Sequence, residues 1–482
     1  MPGEGVTVFL ELDGQGPRYA QLTRALKAAI LDGRLGAGTR LPPTRALARD
    51  LEMSRITTLA AYEQLRAEGF IEGHVGSGSY VAAIETKPAP PPSARTIAAP
   101  SRYMRRARIV QDRTIGLRHH GLRYNLQYGN PQTHPALSDL WARELARAAT
   151  YPQPGGSRAQ GLLSLREQIC DYLARRRGVQ ARPEDVLIIS GTQQAFTLTA
   201  RVLLDEGDAV VMEEPTYFGA RQAFAAHGAK LVPIRTDAEG LVCSALPRKA
   251  PRLIYVTPSH QFPSGSVLSL QRRLDLLRYA SDHRCWVMED DYDSEFRYDS
   301  RPLAAMRSLD HSDRVIYVGT FSKVMFGSLR LAYMVVPSAL RDDFVTAKYL
   351  SDFFCPTIEQ AALAHFMETG GFERHLRHAT KELKARRDAL IEGLHRHAGD
   401  RVEIANSQAG MHMVAWLRGY DHARAEALID YAHERGLGLH PMWPHYFKRP
   451  ARPGLILGYC ALSTVELGEA MQVFGRCLDA FD

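Results

Sequence analysis

Near the N-terminus, apolar residues recur at helical spacing in three short runs. In PRYAQLTRALKAAILDG, Leu22, Leu26 and Ile30 fall on one face, Pro17 suits the first turn and Gly33 ends the run. LPPTRALARDL predicts a second short helix with Thr44 as its N-cap, and MSRITTLAAYEQLRAEG a third with Ser54 as N-cap and Gly69 as its stop. FIEGHVGSGSYVA then reads as two short strands around a glycine-rich turn. Three helices followed by a β-wing form a winged helix-turn-helix, whose third helix would enter a DNA major groove N-terminal end first.

The pattern changes after residues 87–100, KPAPPPSARTIAAP, which suit neither a helix nor a central strand. Apolar blocks VLIIS, AVVMEEP, RLIYVTP, RCWVMED and RVIYVGTF recur between amphipathic segments. They read as buried parallel strands alternating with helices, which predicts a doubly wound α/β sheet with its ligand at the carboxyl ends of the strands. From about Arg341 helix dominates, with a break at Gly370–Gly371, and a smaller α+β part ends the chain. The expected division is a head over 1–82, a Pro-rich basic linker over 83–123 and a large domain over 124–482.

Composition narrows the class. The chain has 482 residues, 45% of them hydrophobic, which is ordinary for a globular protein with a sizeable core. No run of eighteen apolar residues occurs, so no membrane partner is expected, and the acidic start MPGEGVTVFLELDG does not read as a signal peptide. The six cysteines are scattered without a CxxC pair, which argues against a zinc site or a disulfide framework and for a reducing cytoplasm. The formal charge of +7 is concentrated in residues 83–123, with nine Lys/Arg against two acids, while the flanking parts balance. Such a segment is either a solvated linker or a second, salt-dependent contact to a polyanion.

The head carries the residues a DNA reader needs. Ser54, Arg55, Thr57 and Thr58 stand at the start of the third helix, where Arg can fork onto guanine and Thr can reach bases or phosphates. Arg45 is placed for a phosphate, and Gly76, Ser77 and Gly78 keep the wing slim. The head's neutral net charge would also suit a plain helical bundle; the arginine placement outweighs it.

In the body, four motifs meet the needs of a cofactor with a phosphate, an aldehyde and a basic ring nitrogen. Ser190-Gly191-Thr192 sits at a strand-to-helix turn, where backbone N–H groups favour an anion, although many such turns only cap helices. Tyr217 follows a strand and could stack on a ring; taken alone, such a tyrosine is more often a core or interface residue. Asp290, Asp291 and Tyr292 end a strand, where a buried acid could face the ring nitrogen. Lys323 follows a strand within a hydroxyl-rich apolar run, flanked by Thr320, Ser322 and Arg330.

Residues 15–82 resemble the GntR-type winged helix, with Ile56 where a hydroxyl residue is usual. SGTQQ, EEPTYFG, TPSHQFPSG, EDDYDSEF and GTFSK, in that order, resemble a fold-type I aminotransferase, and their spellings resemble the MocR (GabR-like) subfamily of GntR regulators. The resemblance implies pyridoxal 5'-phosphate joined to Lys323, with Asp290 at the ring nitrogen, Tyr292 at the ring hydroxyl and Tyr217 on the ring face. It assigns the phosphate to Gly191, Thr192, Thr320, Ser322 and Arg330, and implies a head-to-tail homodimer. Two departures stand out. SKVMFGSLRLA replaces the usual lysine loop, altering Val324, Gly327, Ser328 and Ala332, and Phe262 precedes Pro263 where ordinary aminotransferases place an asparagine. His260 or Gln261 could substitute for that asparagine.

Two functions fit. In one, the protein is a regulator bound to double-stranded DNA that senses a small amino compound by aldimine exchange at Lys323. In the other it is a working aminotransferase with an accessory head. A carboxylate on the effector would want an arginine clamp, for which Arg221, Arg449 and Arg452 are candidates by neighbourhood, and residues 436–447 either line the pocket or form an interface.

Overall fold

The computed structural model describes residues 10–74, 78–84, 99–111, 119, 121–129, 135–150, 159–298, 303–405 and 408–481. The chain forms two compact units, Met1–Ala99 and Pro100–Asp482.

The first unit contains helices Arg18–Leu31, Thr44–Asp50 and Arg55–Ala67 and an antiparallel pair, Ile71–His74 with Gly78–Val81. Leu22, Leu26 and Ile30 pack with Leu47, Leu65 and Val81 in one core. Ser54 caps the third helix, its hydroxyl accepting from the Thr57 amide at 3.0 Å. Thr44, expected as a cap, is instead the first helical residue. Pro43 takes the cap position because its ring holds φ near −55° while ψ stays extended at 142°.

The second unit is built on a mixed sheet. In spatial order its strands are Val186–Ile189, Ala332–Val335, Val315–Thr320, Trp286–Asp291, Leu253–Val256, Ala209–Glu214 and Lys230–Asp237, with a short antiparallel strand, Gly240–Leu241, at the edge. The five apolar blocks of the sequence all become strands of this sheet. Ala332–Val335 runs antiparallel to both neighbours, and Lys230–Asp237, flanked on its outer side by the two-residue Gly240–Leu241, is half-exposed. The sequence pattern passed over both: the apolar run 331–336 reads as part of the lysine motif it follows, and Lys230–Asp237 mixes apolar with exposed polar residues. Helices Thr192–Leu203, Phe218–Ala226 and Leu270–Asp282 connect the strands.

Beyond the sheet, Gly370 turns the chain with φ 70°, and helix Gly371–His397 follows at the expected break. A four-stranded antiparallel sheet of Val402–Ile404, His412–Leu417, Gly454–Gly458 and His440–Pro441 completes the C-terminal part.

The basic stretch 83–123 is not one continuous linker. Arg102–Gln111 forms a helix within the second unit, packed against Phe218–Ala226. Arg106 Nε donates to the Ala226 carbonyl at 3.0 Å, and its Nη1 lies 3.0 Å from Glu206 Oε1. The Tyr103 ring meets His227 edge-on at 5.0 Å. At Arg106 the excess charge is therefore spent on the body. Among the described residues no helix is long and apolar enough to cross a membrane, and all six cysteines are unpaired.

Candidate functional site

Strand ends and helix starts of the large sheet converge on a cavity of about 490 Å³ lined by Lys323, Asp290, Tyr292, Tyr217, Thr192 and Arg330, among others. Lys323 is half-buried, and its Nζ donates to the Gly129 carbonyl at 2.5 Å. Burial lowers its pKa from the usual lysine range, while Asp293 and Asp290 act in the opposite direction. Gly129 has φ +74°, and a Cβ there would stand 2.8 Å from Nζ, so the close approach of amine and backbone needs glycine.

Asp290 and Asp291 separate because successive strand residues point to opposite faces. Asp291 is held by Arg177 Nε at 2.8 Å and Tyr317 Oη at 2.5 Å, in an almost fully buried ion pair. Asp290 faces the cavity: Oδ2 accepts from Tyr255 Oη at 2.7 Å, and Oδ1 is buried without a partner among the described residues. Burial pushes its carboxyl up to about 7, against the opposing effect of the Tyr255 hydrogen bond. Tyr292 Oη lies 3.0 Å from His260 Nδ1, which lies 2.9 Å from Asp293 Oδ2. His260 thus stands behind the tyrosine. Gln261 is consumed by the turn, its amide donating to the Pro215 and Phe262 carbonyls at 2.7 Å each. Next to Gln261, Phe262 lines the cavity, edge-on to Tyr217 at 5.5 Å.

The anion cup forms where helix Thr192–Leu203 begins. Gly191 occupies the cap position with φ 96° and no side-chain cap, and a Cβ there would collide with Arg330 Nη2 at 2.4 Å. Arg330 Nη2 donates to the Ser190 carbonyl at 2.9 Å. The Ser190 hydroxyl turns away to Cys355 Sγ at 3.4 Å, so Ser190 contributes backbone only. Thr320 Oγ1 accepts from the Ser322 amide at 3.2 Å, and Ser322 Oγ is buried without a partner among the described residues.

The orphaned Asp290 oxygen, the orphaned Ser322 hydroxyl and the glycine-lined cup fit a group with a ring N–H at one end and an anion at the other. Pyridoxal phosphate has both. Sequence reasoning missed Tyr255, Thr257, Gln127, Tyr128 and His412, which line the cavity, whereas His440, also on its wall, belongs to the stretch 436–447 considered for the pocket. Apart from the two on the recognised TPSHQFPSG strand side, the missed residues come from segments without a motif. The three arginines considered for a carboxylate are engaged elsewhere. Arg221 donates to the Pro444 and Tyr446 carbonyls at 2.8 and 2.9 Å, Arg449 pairs with Glu426, and Arg452 pairs with Glu403 at 2.8 Å.

In the head, Arg45 and Arg55 are exposed, and Ile56 is 80% exposed beside Arg55. Thr57 is partly buried, with its hydroxyl 2.7 Å from Ser54 Oγ. Thr58, expected at the groove, is fully buried and bonds back to the Ser54 carbonyl at 3.4 Å, because its helical position faces the core. Gly78 opens the second wing strand against the Arg40 guanidinium; Gly76 and Ser77 lie outside the described residues.

Comparison with known proteins agrees with this geometry. Residues 18–81 match the family described as bacterial regulatory proteins, gntR family, and residues 125–435 match aminotransferase class I and II. The chain is 39% identical to the "Probable rhizopine catabolism regulatory protein MocR" of Rhizobium meliloti, over 96% of this chain and 94% of that protein. It also superimposes on an archaeal alanine:glyoxylate aminotransferase with TM-score 0.69 and 25% identity, covering 79% of this chain and 96% of that one. LysN, an alpha-aminoadipate aminotransferase of Thermus thermophilus, gives TM-score 0.68 and 28% identity over 77% of this chain and 97% of that one. A winged-helix head on an aminotransferase-like body, a fold that implies pyridoxal phosphate, defines the class. The chain belongs to the MocR-type transcription regulators of the gntR family.

Proposed function

We propose that this regulator senses a small amino compound by letting its amine take the place of Lys323 on the cofactor. The observation that carries the proposal is the Lys323 amine, held in the cavity by the Gly129 carbonyl and lowered in pKa by burial. When bound, pyridoxal phosphate supplies an aldehyde carbon with which a primary amine condenses, and a ring that withdraws electrons. Asp290 would hold the ring nitrogen's proton, Tyr217 and Phe262 would wall the ring, and Tyr292, backed by His260, would reach the ring hydroxyl. Gly191, Thr192, Thr320, Ser322 and Arg330 would hold the phosphate. Displacement of Lys323 returns a charged or mobile amine to the cavity wall, and the body's response would reach double-stranded DNA through Arg45, Arg55 and the wing. A head-to-tail homodimer in a reducing cytoplasm belongs to the same proposal.

The test combines two readouts on cofactor-loaded protein: the visible absorption band of the lysine-bound cofactor, and operator affinity by fluorescence anisotropy. An active amine is expected to shift the band and change the affinity together, and Lys323→Ala to abolish both responses. Unchanged promoter affinity in both experiments would sink the proposal.

A second function, transamination, is favoured by the complete set of Lys323, Asp290 and Arg330 around one cavity. Keto product accumulating over many turnovers would establish it.

A further inference from the structure

Beside Lys323 the cavity wall has an unusual chemistry. Gly129, which holds the Lys323 amine, is preceded by Tyr128, and the Tyr128 ring lies among three imidazoles. Ring centroids stand 6.1 Å from His412, 5.8 Å from His440 and 5.9 Å from His445. Tyr128, His412 and His440 line the cavity. Whatever replaces the lysine amine therefore places its other substituents near this cluster.

The hydrogen bonds fix which ring atoms carry protons. His412 Nε2 lies 3.1 Å from the Pro263 carbonyl, which only accepts, so Nε2 donates. His440 Nε2 lies 2.8 Å from Asn125 Oδ1, while the Asn125 amide nitrogen is spent on the His119 carbonyl, so here too Nε2 donates. Burial lowers His412 to about 3 and His440 to about 4, each with a neighbouring imidazole acting the same way. Lys323 also acts against charge on His412. Both rings are therefore neutral near pH 7, and each Nδ1 is a lone-pair acceptor with no hydrogen bond among the described residues. His445 is also buried and lowered to about 3, with Nε2 3.1 Å from Tyr128 Oη.

A carboxylate is acceptor-only and wants cations or donors. Among the described residues lining the cavity the arginine is Arg330, which sits at the anion cup on the Ser190 carbonyl. Lone pairs of neutral imidazoles would repel a carboxylate, whereas a hydroxyl can donate to them.

We propose that the effector is an amine bearing hydroxyl groups, an amino alcohol or amino polyol, rather than an amino acid, with its hydroxyls donating to His412 and His440. This rests on the exchange at Lys323 proposed above.

Matched pairs isolate the class: serinol against serine, and 4-aminobutan-1-ol against 4-aminobutyrate. Each is titrated into cofactor-loaded protein while the absorption band is followed, with calorimetry as a second readout. The alcohol of each pair is expected to half-saturate at a concentration about ten-fold lower. His412→Leu and His440→Leu should erase that preference while keeping the band, and His440→Gln, which retains an acceptor, should restore part of it. Acids that exchange as well as or better than their alcohols overturn the assignment and leave exchange standing. If no amine of either kind moves a band that Lys323→Ala removes, exchange itself fails and the effector class fails with it.

Discussion

In the cofactor-free protein Asp290 is raised from 3.8 to about 7 by burial, with one oxygen unpaired among the described residues. Between those values the folded chain keeps a proton that the unfolded chain has released. Stability from this group is thus full below about pH 4 and declines as pH rises toward 7. Asp290→Asn removes that ionisation, so the cofactor-free variant is expected to lose less melting temperature between pH 5 and pH 7 than the parent. Glu213 and Glu295, also raised to about 7, keep the remaining slope. The same variant should bind the cofactor more weakly, since an amide cannot balance a protonated ring nitrogen. Comparing thermal melts at the two pH values with cofactor titration checks both arms, and a parent-like slope would refute the assignment. At this scale Asp290 and Lys323 were legible because a motif announced them. Tyr128 and His412 were not, since an isolated tyrosine or histidine carries no signal until the fold assembles several rings together.

Among the elements, the turn before helix Thr192–Leu203 does the most with the fewest side chains. Its glycine has a left-handed φ and lies against a guanidinium, so Gly191→Ala meets strain and collision together. The expected cost is on the order of 1–3 kcal/mol of folding stability, together with a clear loss of cofactor affinity. Denaturant melts and cofactor titration would show it; normal affinity would mean that Arg330 moves aside freely. The strands that the sequence pattern found each open on a run of at least three apolar residues. It passed over Ala332–Val335, which follows the lysine loop within three residues of Arg330 and reads as part of that motif. It also passed over Lys230–Asp237, which has only a two-residue strand on its outer side and leaves polar residues on view. The cap at Ser54 was legible, whereas the one expected at Thr44 was displaced by the two prolines before it.

For the molecule as a whole, two units with separate cores suggest separate stability. A chain beginning at Pro100 is expected to fold and keep the visible band of lysine-bound cofactor. A chain beginning at Tyr124 lacks helix Arg102–Gln111 and exposes the face of Phe218–Ala226, so it should melt earlier and load less cofactor. Equal melting temperatures would show that the helix is incidental to the body. The two-domain plan was legible from the proline-rich stretch and the change of period after it. The docking of Arg102–Gln111 was not, because a basic run looks alike whether it meets solvent, phosphate or a carbonyl across the fold.

That docking has a mechanical side. Phe218–Ala226 begins beside the cavity, with Tyr217 as its cap, and ends at the carbonyl that Arg106 grips. Nine residues at about 1.5 Å each make a stiff rod of roughly 14 Å. The segment fastened to the rod's far end, Arg102–Gln111, is the first helix of the second unit. A tilt of the Tyr217 ring would therefore be carried along a turn-stiffened strut to the arginine that knots its far end.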